Sequence, residues 1–187
     1  MKTLALIKPL YYSPGVSAFI GYRNTALGLS DPDISPSNQK NMKKNTLVFC
    51  SSAQRSISTA RQFGYKNIRT SNLLNEVLFD LSNLVSQAEF DKYGSELVRR
   101  KFIDAFIDNS LIESRYQLQH RIYALINLLK SYPYDEYICF SHSFFMKILE
   151  AHVKSDYSLF DNPQLIRNYI KEEESTYPYG TGVTLKL

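Results

Sequence analysis

The chain of 187 residues is long enough for one domain with a sizeable core, and a content of 44% hydrophobic and 21% charged residues is ordinary for a globular protein. The formal net charge of +4 is not gathered into one block. The basic cluster Arg99-Arg100-Lys101 is typical of a solvated helix face, so we expect no nucleic-acid partner. The apolar run near the N-terminus has only four residues, too short for a signal peptide, and no run approaches a membrane span. We therefore expect a cytoplasmic protein with no membrane association.

The two cysteines, Cys50 and Cys139, each lie at or near the end of an apolar run. This placement is typical of small buried core residues and not of a disulfide framework or a metal site. Neither CxxC nor HxxxH spacing occurs in the chain. We expect no metal and no cofactor.

Three continuous apolar runs predict buried strands, since a strand covered on both faces shows no alternation. They are Leu4-Ala5-Leu6-Ile7, Leu47-Val48-Phe49-Cys50 and Tyr137-Ile138-Cys139-Phe140. A short strand is predicted at 67–69. The alternating segment 183–187 is typical of a half-buried or edge strand.

The segments between these strands predict helices and one long connection. A helix follows the turn 51–54 and ends at Gly64, a residue well suited to stop a helix. Residues 10–35 contain several glycines and prolines and predict a long connection, which in compact domains is often a binding loop. A short polar helix is predicted from Ser35-Pro36 to about Lys44, and another helix begins at Asn162-Pro163.

Residues 80–131 are predicted to be overwhelmingly helical. One amphipathic face repeats at helical spacing through Leu118, Ile122, Leu125, Ile126 and Leu129. Apolar strands that are each followed by loops and helices favour an α/β fold, a three-layer sandwich with a mainly parallel central sheet. We predict a single domain over 1–187 with a helical insertion at about 80–131.

Three charged or titratable residues, Lys8, Arg55 and His142, stand just after the three apolar strands. Ligands of such sheets bind beyond the carboxyl ends of the strands, so these side chains are expected to converge. Arg55 falls in the first turn of a predicted helix, where the helix dipole repels a cation. This arrangement favours a bound anion nearby.

The pattern Ser-Ser-x-x-Arg-x-x-x-Thr-Ala, which here begins at Ser51 and contains Arg55, resembles the second signature of the histidine phosphatase (phosphoglycerate mutase-like) superfamily. Phe140-Ser141-His142-Ser143 resembles the last signature of the same family, with Ser143 where a glycine is common. The resemblance implies a phosphoglycerate mutase-like fold in which Arg55, with Lys8 and Ser143, binds a phosphoryl group. It also implies catalytic roles for His142, as a donor to a phosphoryl oxygen, and for Glu76, as a general acid.

This chain differs from the family in the opening signature. After its first strand the family carries Arg-His-Gly, whose histidine is the nucleophile, whereas this chain has Lys8-Pro9-Leu10. Lys8 keeps a positive charge without the bidentate fork of arginine, and Pro9 offers no nucleophile. The hydroxyl groups of Tyr11, Tyr12 and Ser13 lie close by in sequence.

Three functions follow from these observations. The first is a domain that binds a phosphorylated or otherwise anionic small molecule and has lost the standard phosphohistidine mechanism, a candidate pseudoenzyme. The second is an active divergent phosphatase or mutase, or an enzyme of altered acid–base chemistry, that uses His142 and Glu76. The third is a non-catalytic interaction domain in which the pocket plays no part.

Overall fold

The computed structural model describes residues 2–9, 19–27, 47–170 and 177–187. Leu10, the hydroxyl-bearing residues Tyr11, Tyr12 and Ser13, and the helix predicted from Ser35-Pro36 to about Lys44 lie outside the described residues.

The centre of the fold is a sheet of five described strands in the order β3-β2-β4-β1-β5. The strands are β1 (Thr3–Ile7), β2 (Leu47–Cys50), β3 (Ile68–Thr70), β4 (Glu136–Phe140) and β5 (Gly182–Lys186). Strands β1 to β4 pair in parallel, and β5 runs antiparallel to β1 at the edge. The predicted α/β fold with a mainly parallel sheet is confirmed. Only glycine fits at the start of β5, because a Cβ on Gly182 would lie 1.6 Å from the carbonyl oxygen of Leu6.

Six described helices accompany the sheet, together with two short 3-10 turns, Asn72–Leu74 and Pro163–Asn168. The helices are α1 (Phe19–Ala26), α2 (Gln54–Gln62), α3 (Leu81–Leu84), α4 (Gln87–Asp108), α5 (Arg115–Ser131) and α6 (Ser143–Lys154). Helices α4 and α5 each begin with a capping box, formed by Ser86 with Glu89 and by Ser114 with Gln117. Among the described residues, no helix is long and apolar enough to cross a membrane.

Helix α1 differs from the prediction, which placed a long connection without regular structure over residues 10–35. Its sequence has no strong apolar stripe, so tertiary contacts hold it. The rings of Phe19 and Tyr22 pack edge-on against Phe90 of α4, with centroids 5.9 and 5.5 Å apart. The segment after Asn162 also differs, because it forms a 3-10 turn and not an α-helix.

Both faces of the sheet are covered. In β2, Phe49 belongs to a large core cluster shared with α4, α5 and α6, whereas its neighbours Val48 and Cys50 belong to a smaller cluster beneath α2. Alternate residues of one strand therefore enter opposite layers, which explains why the strand is apolar throughout. The thiols of Cys50 and Cys139 are free and buried, and burial raises the pKa of Cys50 to about 12.

Candidate functional site

The carboxyl ends of β1, β4 and β2 meet at one edge, because these three strands are neighbours in the sheet. All five residues singled out from the sequence line one cavity of about 100 Å³ there, which we call the basic cavity. They are Lys8, Arg55, Glu76, His142 and Ser143. Lys8 directly follows β1, His142 stands two residues after β4, and Arg55 lies in the first turn of α2.

Arg55 and His142 are joined by a buried hydrogen bond, in which Nη2 of Arg55 lies 2.9 Å from Nδ1 of His142. Because a guanidinium can only donate, Nδ1 is the acceptor and the ring proton is on Nε2. Nε2 then donates to Oγ of Ser51 at 2.7 Å, and Ser51 donates to Oγ of Ser56 at 2.7 Å. Burial, with the positive charges of Arg55 and Arg121, holds the pKa of His142 well below its ordinary value. The imidazole is therefore neutral at pH 7.

This geometry bears on the role that the resemblance implies for His142. Both ring nitrogens are already hydrogen-bonded inside the protein. Donation to a phosphoryl oxygen would need the Nε2 proton to leave Ser51, or the ring to gain a proton after Arg55 moves away. In the conformation observed, His142 orients the guanidinium of Arg55, and its catalytic role stays a prediction.

Glu76 lies just beyond the turn Asn72–Leu74 and caps the start of α6. Its Oε1 accepts from the backbone N–H of Phe145 at 2.8 Å and of Val77 at 3.0 Å, and its Oε2 accepts from the N–H of Phe144 at 3.3 Å. Burial raises the pKa of this carboxyl, while the three N–H groups and Arg55 act in the opposite direction. To act as a general acid, Glu76 would have to break one of these hydrogen bonds. Alternatively, it could donate its proton from a lone-pair position that the three N–H groups do not occupy.

Lys8 is held by the chain segment that precedes β5. Its Nζ donates to the backbone oxygen of Tyr177 at 3.0 Å and lies 4.0 Å from the ring centroid of Tyr179. Burial lowers the pKa of Lys8 to about 8, with the nearby carboxylate of Glu76 partly offsetting this effect. The amine is thus mostly charged at pH 7 and mostly neutral at pH 9.

One further cation, Arg99 of α4, lines the basic cavity. The expectation that residues 99–101 form a solvated helix face is wrong for Arg99, whose Nε is buried without a hydrogen-bond partner among the described residues. Its charge contributes to lowering the pKa of Lys8. The sequence carries one weak signal: Arg99 directly follows the buried pair Leu97 and Val98, and so lies at the border of the apolar face.

The described residues contain no group of three or more His, Cys, Asp or Glu side chains that could hold a metal ion. The described lining of the basic cavity offers fixed cations, one neutral imidazole and one buried carboxyl group. Such a set suits the binding of an anion and the transfer of a proton.

A sequence model of the histidine phosphatase superfamily (branch 1) matches residues 38–168. No curated protein matches the chain in sequence. Among solved structures, that of an open reading frame of Mycobacterium tuberculosis is similar over 98% of this chain and 89% of its own, with a TM-score of 0.58 and 14% identity.

Two further solved structures share the fold. A mycobacterial glucosyl-3-phosphoglycerate phosphatase is similar over 86% of this chain and 84% of its own, with a TM-score of 0.54 and 15% identity. A phosphoglycerate mutase from Bacillus anthracis is similar over 83% of this chain and 81% of its own, with a TM-score of 0.50 and 16% identity. At such low identity these likenesses establish the architecture alone.

Proposed function

The chain belongs to the histidine phosphatase superfamily, and we propose that it binds a phosphorylated small molecule through a phosphoryl group in the basic cavity. The observation that carries this proposal is the charge of the cavity. Among the described residues that line it, three are cations, Lys8, Arg55 and Arg99, and one carries a carboxyl group, Glu76. A phosphomonoester carries close to two negative charges at pH 7 and would balance this excess.

The position of Arg55 supports the proposal. Its side chain is only 8% exposed and is oriented by His142, so its guanidinium is held in place before any ligand arrives. Fixed donors bind an anion at a lower entropic cost than mobile surface cations do. The first turn of α2, where Arg55 lies, adds backbone N–H groups at the same end of the sheet.

We further propose that the standard phosphohistidine mechanism does not operate. Pro9 is buried, lines the basic cavity and stands where the resemblance places the nucleophilic histidine. A proline ring has no group that can accept a phosphoryl group. The protein would then bind its ligand and turn it over slowly or not at all.

One observation favours a second candidate, an active enzyme of altered acid–base chemistry. Glu76 lines the basic cavity, and its burial raises the pKa of its carboxyl group. A carboxyl group whose pKa is raised by burial is a better proton donor to a leaving alcohol than an exposed carboxyl group is.

The test is the binding of inorganic phosphate, followed by ³¹P NMR or calorimetry, in the natural protein and in Arg55→Ala. We expect Arg55→Ala to weaken binding by at least about tenfold, the effect of losing one charge-assisted contact. The matched control is Arg61→Ala, an exposed arginine of the same helix, which should leave the affinity within about twofold. Equal binding by Arg55→Ala in a folded sample would contradict the proposal.

The same samples separate the two candidate functions when phosphate release from phosphomonoesters is measured. Turnover that appears only in Pro9→His supports a binding protein that lacks its nucleophile. Turnover by the natural protein that Glu76→Gln abolishes supports the second candidate.

A further inference from the structure

A second and larger cavity, of about 700 Å³, adjoins the basic cavity. Five residues line both cavities and form a shared wall: Thr25, Ala26, Arg55, Glu76 and His142. The larger cavity, which we call the polar cleft, is distinguished by six polar side chains that do not line the basic cavity. They are Ser52, Asn72, Asn75, Glu113, Gln117 and Arg121. A phosphoryl group held by Arg55 would thus have the rest of its molecule beside the polar cleft.

The charges in the polar cleft are paired with each other. Arg121 donates from Nε and Nη2 to the two carboxylate oxygens of Glu113, at 2.7 Å in each case. Its Nη1 donates to the backbone oxygens of Asn75 at 2.6 Å and Leu73 at 3.3 Å. The two side chains are each only 14% exposed. Apart from the shared wall, the described residues of the cleft therefore offer no cation for a carboxylate or a second phosphate.

Two of the three amide groups in the cleft, those of Asn75 and Gln117, are held by their oxygen atoms, which leaves their nitrogen atoms available. Oδ1 of Asn75 accepts from both the backbone N–H and the hydroxyl of Ser52, at 2.9 Å each. Oε1 of Gln117 accepts from the backbone N–H and the hydroxyl of Ser114, at 2.9 and 3.0 Å. Within the described part of the chain, neither amide nitrogen has a hydrogen-bond partner. Neutral N–H donors of this kind suit hydroxyl and carbonyl oxygens.

From this contrast we propose that the ligand is a phosphomonoester of a neutral, hydroxyl-rich alcohol, of the chemical class of a sugar phosphate. The phosphoryl group occupies the basic cavity, and the alcohol lies in the polar cleft against Asn75 and Gln117. This inference rests on the proposed function. Esters whose alcohol carries its own negative charge are disfavoured, since Glu113 already neutralises Arg121 and Glu76 faces the cleft from the shared wall.

The test compares three probes by ³¹P NMR, which reports binding and any release of phosphate: inorganic phosphate, glucose 6-phosphate and 3-phosphoglycerate. We expect glucose 6-phosphate to bind about three- to tenfold more tightly than inorganic phosphate, the range of one or two hydrogen bonds. We expect 3-phosphoglycerate to bind no more tightly than inorganic phosphate.

The diagnostic variant is Gln117→Glu, which keeps the acceptor oxygen needed by Ser114 and replaces the amide donor with a negative charge. It should lower the affinity for glucose 6-phosphate about three- to tenfold and leave that for inorganic phosphate within about twofold. Gln87→Glu adds the same charge at an exposed position of α4 and should change neither affinity.

The outcomes separate this inference from the proposed function. If inorganic phosphate binds in an Arg55-dependent way but 3-phosphoglycerate binds more tightly than glucose 6-phosphate, the assignment of a neutral alcohol is wrong and the proposed function stands. Insensitivity of glucose 6-phosphate binding to Gln117→Glu overturns the assignment in the same way. If no probe binds, both fail.

Discussion

Two buried histidines lie at opposite ends of helix α6 and have very different surroundings. His142, at its start, has both ring nitrogens hydrogen-bonded, to Arg55 and to Ser51. His152, near its end, is fully buried, and neither ring nitrogen has a partner among the described residues. Its ring lies among Tyr123, Tyr157 and Phe160, with centroids 5.5, 5.3 and 4.9 Å away, which we call the aromatic enclosure.

The comparison shows that a lowered pKa does not by itself distinguish a histidine that lines the basic cavity from one enclosed in the core. Burial lowers the pKa in both cases. The difference is that hydrogen bonds give His142 a defined tautomer and a defined contact with a cation, whereas His152 fills space as an aromatic ring would. A hydrogen-bonded ring beside a cation is what distinguishes His142, in the basic cavity, from His152, in the aromatic enclosure.

The largest expected effect comes from replacing each histidine by phenylalanine. His142→Phe removes two buried hydrogen bonds, one of them to a charged group, and should lower the free energy of unfolding by about 3 kcal/mol. His152→Phe removes two unsatisfied buried nitrogens and keeps the ring, so its free energy of unfolding should stay within about 1 kcal/mol of the natural value. Urea unfolding measures both. Equal losses in the two variants would show that the contrast is wrong.

The second prediction concerns the Lys8 side of the basic cavity. Because the pKa of Lys8 is about 8, its charge is lost as the pH rises through that value. The affinity for a phosphomonoester, which is dianionic above about pH 7, should therefore fall by up to about tenfold between pH 7 and pH 9. Lys8→Arg stays charged and should bind with little pH dependence in this range. A natural protein whose affinity is constant with pH would contradict a contact between Lys8 and the ligand.

The third prediction concerns the pH dependence of stability caused by His152. Its pKa in the folded protein lies below the ordinary value of 6.5, so between these two values the unfolded chain binds more protons. Stability due to this residue is complete above pH 6.5 and is lost as the pH falls below it. His152→Phe should accordingly lose less stability than the natural protein between about pH 6.5 and pH 5. The exposed His120, replaced by Gln, serves as the control and should follow the natural curve.

The smallest expected effect is that of Tyr179→Leu, which removes the ring that Lys8 contacts. A partly exposed cation–π contact contributes about 0.5–1 kcal/mol to keeping the Lys8 amine charged. Because the pKa of Lys8 is about 8, the amine of the variant stays mostly charged at pH 7, and phosphate affinity at that pH should fall by less than about twofold. The pH at which the affinity falls should also be lower in the variant, because the ring of Tyr179 stabilises the charged form of the Lys8 amine. The affinity of Tyr134→Leu, which removes an exposed ring outside the basic cavity, should not change.

The sheet could be predicted from the sequence because each central strand is covered on both faces. Coverage on both faces requires a continuous apolar run, and such runs at 4–7, 47–50 and 137–140 are visible without any alignment. The helix that follows β2 was equally visible, since Gly64 marks its end. Helix α1 was not, because contacts with Phe90 from α4, and not a periodic stripe, hold it in place.

The residues of the candidate site also divide into those that could be predicted from the sequence and those that depend on tertiary contacts. Lys8, Arg55 and His142 could be grouped from the sequence, because they follow strands whose carboxyl ends must share one edge of a parallel sheet. Arg99 could not, since its place at the basic cavity depends on how α4 packs across that edge. The contacts of Glu76 with the first turn of α6 likewise join segments far apart in the chain.

The sequence by itself thus determined the family, the parallel sheet and the edge of the sheet at which the candidate site lies. These follow from local patterns of apolar residues and from short motifs directly after strands. The tertiary structure decided the charge of the basic cavity, the tautomer of His142, the lowered pKa of Lys8 and the pairing of Arg121 with Glu113. Each of these depends on distances between separate elements and on burial, and neither is set by the order of residues within one segment.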